Sequence, residues 1–107
     1  MPIYNKLVRD LIPEIIKNDR CLPKTRILNK KEYKLELLKK LVEESKEALR
    51  VKNNKKGLIK EVGDVMEVLE AIEKAYNLDR KAVLKLKRER RKKRGGFAKQ
   101  IFLKKVD

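Results

Sequence analysis

The fold is decided by residues 41–65, which read LVEESKEALRVKNNKKGLIKEVGDV. Apolar residues recur every three or four positions on both sides of Asn53-Asn54, and this spacing places them along one face of an α-helix. The paired asparagines interrupt the pattern. The sequence therefore predicts two amphipathic helices joined by a short connection, and a short connection makes the two helices antiparallel neighbours.

The same periodicity extends outward in both directions and sets the expected bounds of the two long helices. The first is predicted from about Lys30 to Val51, with Asn29 as its N-cap and Glu32 as the partner in a capping box. The second is predicted from about Lys56 to Tyr76. Together they form the long hairpin on which we expect the fold to be built.

Shorter elements are expected on either side of the hairpin. Pro13 suits the first turn of a short helix through Ile16, and Asp79 can cap a third long helix from Arg80 to about Arg94, which Gly95-Gly96 ends. We also expect a short two-strand pairing between residues 26–28 and 101–103. The predicted fold class is all-α, a helical bundle in one domain of residues 1–107.

Four carboxylates lie on the core side of the two predicted long helices. Glu44 falls within the apolar stripe of its helix and Glu61 within that of the next, while Glu47 and Asp64 flank them at the edge. Residues three apart are neighbours on a helix surface, so each pair can act as one clamp. In an antiparallel hairpin, the end of the first helix meets the start of the second, which places all four acids at a similar height.

A carboxylate on the core side of a helix is costly unless it is paired or bound to a metal. The alternative to a metal is a buried ion pair, but Lys40 and Lys46 lie off the stripe, so we favour metal ligation. Mg²⁺ or Mn²⁺ suits a site built only from oxygen ligands. The later acids at Glu67, Glu70 and Glu73 are interpreted as surface charge.

Composition excludes several other classes of site. The chain has no histidine, which removes histidine-dependent nucleophilic catalysis and the common His/Cys zinc sites. Cys21 is the single cysteine, so no intrachain disulfide can form, and we expect a cytoplasmic protein. No apolar run approaches the length of a membrane span, so no membrane partner is expected.

An ExxE motif (Glu44 to Glu47) followed by an ExxD motif (Glu61 to Asp64) resembles the signature of the all-α nucleoside triphosphate pyrophosphatases, the MazG-like superfamily. The terminal stretches Tyr4–Pro13 and Arg94–Phe97 are similar to a subgroup labelled phosphoribosyl-ATP pyrophosphohydrolase-like. The resemblance covers nearly the whole chain. It implies hydrolysis of a nucleotide to a monophosphate and pyrophosphate, and assembly into dimers or larger oligomers.

The first functional hypothesis is therefore a Mg²⁺-dependent nucleotide pyrophosphohydrolase. Its metal ligands would be Glu44, Glu47, Glu61 and Asp64. Glu44 and Glu47 are the candidate catalytic residues, with Glu47 or Glu43 as the general base. Candidate ligands for the substrate phosphates are basic residues near the two ends of the chain: Lys6, Arg9, Lys87, Arg91 and Arg94.

The second hypothesis is a basic helical module that binds nucleic acid, or an adaptor, without catalysis. The formal charge is +15, and residues 80–105 hold 13 of the 31 bases with Glu89 as the only acid. Such a module explains the charge but not the inward carboxylates, so we favour the enzyme. We also expect a homodimer or a higher oligomer, because the apolar stripes are wider than one neighbour can cover. The sequence leaves the base and sugar of the substrate open.

Overall fold

A computed structural model describes residues 2–107 and contains four helices in that range. They are α1 (Ile12–Asn18), α2 (Lys30–Arg50), α3 (Lys55–Ala75) and α4 (Arg80–Arg94). The contacts group the chain into two compact units, one ending at Asn77 and the other spanning Leu78–Asp107. The all-α class and the antiparallel α2/α3 hairpin are confirmed.

Side-chain caps fix the start of each long helix. Asn29 accepts a hydrogen bond from the backbone N–H of Glu32, and the Glu32 side chain accepts one from the backbone N–H of Asn29, which completes the predicted capping box. Asn54 accepts from the backbone N–H of Gly57 and so begins α3. Each cap satisfies a helix N–H group that has no partner within the helix. Asn29 and Asn54 are therefore the residues at which a connecting segment ends and a long helix begins.

The connection between α2 and α3 is tight enough to need a glycine. A Cβ atom added at Gly57 would lie 3.0 Å from the Cβ of Val51, closer than two carbon atoms pack comfortably. At the other end of the hairpin, the Tyr76 hydroxyl donates to the carbonyl oxygen of Lys34 at 3.1 Å. The hairpin is therefore closely packed at Gly57 and joined by a hydrogen bond at its other end.

The core of the first unit lies between α2 and α3. Leu37, Val68 and Ile72 are buried, and partly buried apolar residues pack against them. These residues are Leu7, Leu41, Ala71, Ala75 and Tyr76. Leu7 comes from the segment before α1, so the N-terminal segment is fastened to the hairpin through the core.

A second apolar stripe on each long helix remains outside this core. The stripe residues are Leu35, Leu38, Val42 and Leu49 on α2, and Ile59, Val62, Met66 and Leu69 on α3, each at least 41 % exposed. Both stripes are turned from the core face by roughly 100°, in the direction of increasing residue number. Because the helices run in opposite directions, the two stripes lie on one side of the hairpin and form one apolar face.

The second unit is α4 and the segment that follows it. Asp79 caps α4 by accepting a hydrogen bond from the backbone N–H of Lys81. Gly95 ends the helix with a φ of 82°, a left-handed conformation that suits glycine. None of the residues in this unit is buried.

The predicted pairing of residues 26–28 with residues 101–103 is not supported. The described residues 2–107 contain no strand. Arg26 instead forms two hydrogen bonds to Glu32, at 3.2 and 2.7 Å, in the first turn of α2. A pair of short strands without further neighbours is only marginally stable in water. In this protein Arg26, from the first of the two predicted strands, is bonded to the start of α2 instead. No helix in the described part of the chain is long and apolar enough to cross a membrane.

Candidate metal centre

The α2/α3 hairpin brings together three of the four acids predicted to bind metal. One carboxylate oxygen from each of Glu44, Glu61 and Asp64 can be chosen so that all lie within 4.8 Å of one another. Glu44 comes from late α2 and the other two from early α3, as expected for an antiparallel pair. The cluster joins residues from two helices and is not a local sequence feature.

Glu61 is the most deeply placed member of this acidic cluster of Glu44, Glu61 and Asp64. The residue is 6 % exposed, and its Oε2 atom is buried without a hydrogen-bond partner among residues 2–107. Its other oxygen, Oε1, accepts from the Lys60 ammonium group at 3.1 Å. Burying a carboxylate oxygen without a hydrogen-bond partner lowers the stability of the fold. The site therefore holds a strong oxygen ligand with unused coordinating capacity.

Glu44 shows the electrostatic consequence of the crowding. Burial raises the pKa of the Glu44 carboxyl, and a hydrogen bond to Glu61 together with the negative charges of Glu61 and Asp64 raises it further. The positive charge of Lys40 opposes these effects. Carboxylates that face one another repel, which disfavours the charged form. A divalent cation between these side chains would relieve that repulsion.

Asp64 at the edge of the acidic cluster behaves in the opposite way. A hydrogen bond from Lys60 at 2.9 Å lowers the pKa of Asp64, and the charge of Arg9 acts in the same direction, although burial opposes both. The hydrogen bonds that Lys60 donates to Asp64 and Glu61, together with their negative charges, raise the pKa of Lys60 to about 12. Asp64 is therefore an ionised carboxylate that two cations already hold in place.

Lysines on the two helices reach the acids from positions outside the apolar stripe. The Lys40 ammonium group lies 3.5 Å from Glu44 and 3.1 Å from Glu43. Long lysine stems can extend along an apolar surface, which is why Lys40 contacts Glu44 although its Cα lies off the stripe. The i,i+4 spacing of Lys40 with Glu44, and of Lys60 with Asp64, is a sequence signal that predicts these pairs.

The N-terminal segment supplies two further cations. Lys6 donates to Glu43 at 2.8 Å, and Arg9 donates to Asp64 at 2.7 Å. Both cations therefore lie next to the acidic cluster, where the sequence predicted ligands for substrate phosphates. Burial alone would raise the pKa of Glu43, but hydrogen bonds from Lys6 and Lys40 outweigh it, and the pKa lies below the ordinary value.

The fourth predicted ligand stands apart from the cluster. Glu47 is bonded to Arg50 one turn along α2, and its side chain is 39 % exposed. Lys87, Arg91 and Arg94, also predicted to bind substrate, are exposed residues of α4 in the second unit. Their role at the site stays a prediction.

Comparisons of the chain with protein-family models, with curated proteins and with solved structures find no match. The resemblance to the MazG-like pyrophosphatases is therefore carried by the sequence motifs alone.

Proposed function

We propose that this protein is a Mg²⁺-dependent nucleotide pyrophosphohydrolase. It would cleave a nucleoside triphosphate, or a related nucleotide such as phosphoribosyl-ATP, to a monophosphate and pyrophosphate. The observation that carries the metal site is the buried Oε2 of Glu61, which has no protein partner and belongs to a cluster with Glu44 and Asp64. The choice of reaction rests on the resemblance to the pyrophosphatase family.

The ligand chemistry of the site fits Mg²⁺, and Mn²⁺ as a substitute. Glu44, Glu61 and Asp64 offer only carboxylate oxygens, which these hard cations prefer, and Glu47 is the proposed fourth ligand. When bound, the ion would neutralise phosphate charge and favour ionisation of the attacking water. A double positive charge would also relieve the repulsion that now raises the pKa of Glu44.

The cations around the acidic cluster would bind the substrate phosphates. Arg9 has a side chain that is 57 % exposed, and its ion-pair partner among residues 2–107 is Asp64. Metal binding at Asp64 would compete with Arg9 and leave the guanidinium group free to hold a phosphate in two-point contact. Lys6 donates to Glu43, the neighbour of Glu44 in the chain, and would contribute a second positive charge for the substrate phosphates.

Of the two candidates for the general base, we propose Glu47 rather than Glu43. Lys6 and Lys40 both donate to Glu43 and lower its pKa, which makes it a weaker base. Among the ion pairs of residues 2–107, Glu47 pairs with Arg50, and its side chain is 39 % exposed against 33 % for Glu43. We propose that Glu47 accepts the proton of the attacking water, at an oxygen that has exchanged its contact with Arg50.

A panel of ribo- and deoxynucleoside triphosphates with Mg²⁺ tests the activity, scored for pyrophosphate against orthophosphate. Hydrolysis in ¹⁸O-labelled water then locates the attacked phosphorus. Label in the monophosphate or in pyrophosphate supports attack at the α–β bridge, whereas label confined to orthophosphate from the γ position contradicts it. Glu44→Ala should remove both metal binding and activity, and Arg94→Ala should impair turnover while metal binding persists.

The apolar face of the hairpin supports self-association. Two exposed stripes on one side of α2 and α3 match the surface that a second, identical hairpin would cover to make a four-helix bundle. We propose a homodimer, or a larger assembly that contains it. Light scattering should show at least a dimer, and Val62→Glu should shift the population towards monomer, whereas a stable wild-type monomer at micromolar concentration contradicts the proposal.

A further inference from the structure

The second unit concentrates most of the positive charge of the protein. Residues 78–107 hold 13 bases and three acids, a net charge of +10 out of the +15 of the whole chain. Clustered charge of this kind attracts polyanions over several ångströms and raises their association rate. Lys87, Arg91 and Arg94 are candidate ligands for the nucleotide substrate, but the other ten bases have no role at the metal centre, which is built entirely from residues of the first unit.

The charge is distributed differently in the two halves of α4. The first half carries Val83, Leu84 and Leu86, each between 42 and 56 % exposed. The second half, residues 87–94, reads KRERRKKR and contains no apolar residue. At 3.6 residues per turn, seven bases in two turns point in all directions around the helix axis. This half of α4 is a rod that is positive on every side.

The bases on this rod are available for a partner. No base from Lys85 to Lys104 lies within 4.0 Å of a carboxylate in the described residues, and all are exposed. The first unit is different, because Lys6, Arg9, Lys40 and Lys60 each contact an acid there. Unpaired cations on one short helix repel each other, so a polyanion that binds them gains free energy without breaking internal ion pairs.

A membrane surface fits this pattern less well than a nucleic acid groove. A helix that lies on a membrane needs one apolar face opposite its charged face, and residues 87–94 have none. The major groove of B-form DNA is about 12 Å wide and admits an α-helix, with phosphates along both edges. The major groove of A-form RNA is deep and narrow. A rod with bases on every side therefore matches the B-form groove.

We propose that residues 87–94 of α4 dock into the major groove of duplex DNA and bind its phosphates without sequence preference. The bases on opposite sides of the helix would neutralise the two strands that border the groove. Arginine and lysine contacts to phosphate position a protein on the duplex but do not read its sequence. Binding should therefore release several counterions and weaken steeply with salt.

The test is fluorescence anisotropy of the full-length protein with a labelled 20-base-pair duplex of mixed sequence, in EDTA, at several salt concentrations. A protein that neutralises six phosphates gives a slope of log K against log salt of about −5. The variant Arg88→Gln/Arg90→Gln/Lys92→Gln should make this slope shallower by about 2.7 and weaken binding in 0.1 M salt by roughly 100-fold or more. These three bases are distinct from those proposed to bind the nucleotide substrate.

The matched control is Lys52→Gln/Lys55→Gln/Lys56→Gln, which removes the same charge from exposed residues of the first unit. It should leave the slope within about one unit of the wild type, and circular dichroism should show both variants to be helical. Equal weakening by the two variants overturns the proposal, as does a wild-type slope near zero. Tighter binding to an RNA duplex of the same sequence excludes the groove, and tighter binding to phosphatidylserine vesicles assigns the surface to a membrane instead.

Discussion

Replacing Glu61 with glutamine removes a negative charge from the buried side of the hairpin and keeps the shape of the side chain. Oε2 of Glu61 is buried with no partner, while Oε1 retains its contact with Lys60. Leaving a buried acceptor unsatisfied costs about 1–3 kcal/mol. Glutamine replaces this acceptor with an N–H donor, for which the carboxylates of Glu44 and Asp64 are nearby acceptors. We therefore expect Glu61→Gln to raise the free energy of unfolding by about 1–2 kcal/mol without metal.

The same change should remove the stabilisation that a divalent cation provides. An ion present at 100 times its dissociation constant stabilises a folded protein by about 2.7 kcal/mol. For a chain of this length, 1 kcal/mol corresponds to about 4–8 °C in Tm. The wild type should therefore gain more than about 10 °C on addition of saturating Mg²⁺ or Mn²⁺, whereas Glu61→Gln should start from a higher Tm in EDTA and gain almost nothing.

Thermal unfolding in EDTA and in metal, with calorimetric titration of each protein, measures both effects. Glu67→Gln is the matched control, since it removes the same charge from an exposed position on the same helix. The reasoning is refuted if Glu61→Gln binds the metal with wild-type affinity. It is also refuted if the variant is less stable in EDTA than the wild type, because Glu61 would then act as a structural ion-pair partner of Lys60.

Further predictions concern the pH dependence, the substrate cation and the closure of the hairpin. The pKa of Glu44 is raised on folding, so its contribution to stability is present below pH 4.5 and is lost as pH rises through the folded pKa. Above the folded pKa, Glu44→Gln in EDTA should therefore be more stable than the wild type. Urea titrations from pH 4.5 to 7.5 measure this difference. Arg9→Gln should change the free energy of unfolding by less than about 1 kcal/mol, because the Arg9 side chain is 57 % exposed and water screens its pair with Asp64. It should nevertheless raise KM for the nucleotide, and an unchanged KM would leave Arg9 a purely structural role. Tyr76→Phe removes the hydroxyl that joins the end of α3 to the backbone of α2, and it should lower the free energy of unfolding by about 0.5–1.5 kcal/mol. A urea midpoint equal to that of the wild type would show that water replaces this hydrogen bond without loss of stability.

The helices and the inward acids could be predicted from the sequence because they depend on neighbours close along the chain. Asn29 and Glu32 form the predicted capping box, and α2 ends within one residue of the expected position. Helical periodicity placed Glu44 and Glu61 on the core face, and the short connection put them at one height. The structure brings these two together with Asp64 through the packing of α2 against α3, which the short connection between the helices favours.

Only the tertiary structure decided which acids the cations of the N-terminal segment contact. Lys6 reaches Glu43 across 37 positions and Arg9 reaches Asp64 across 55. The segment that carries them has no regular secondary structure, so it has no periodicity from which its path could be predicted. The irregular segments near residues 26 and 102 were misjudged for the same reason. β-propensity depends on the neighbours that a strand finds, and in this fold one of those segments is bonded to the start of α2.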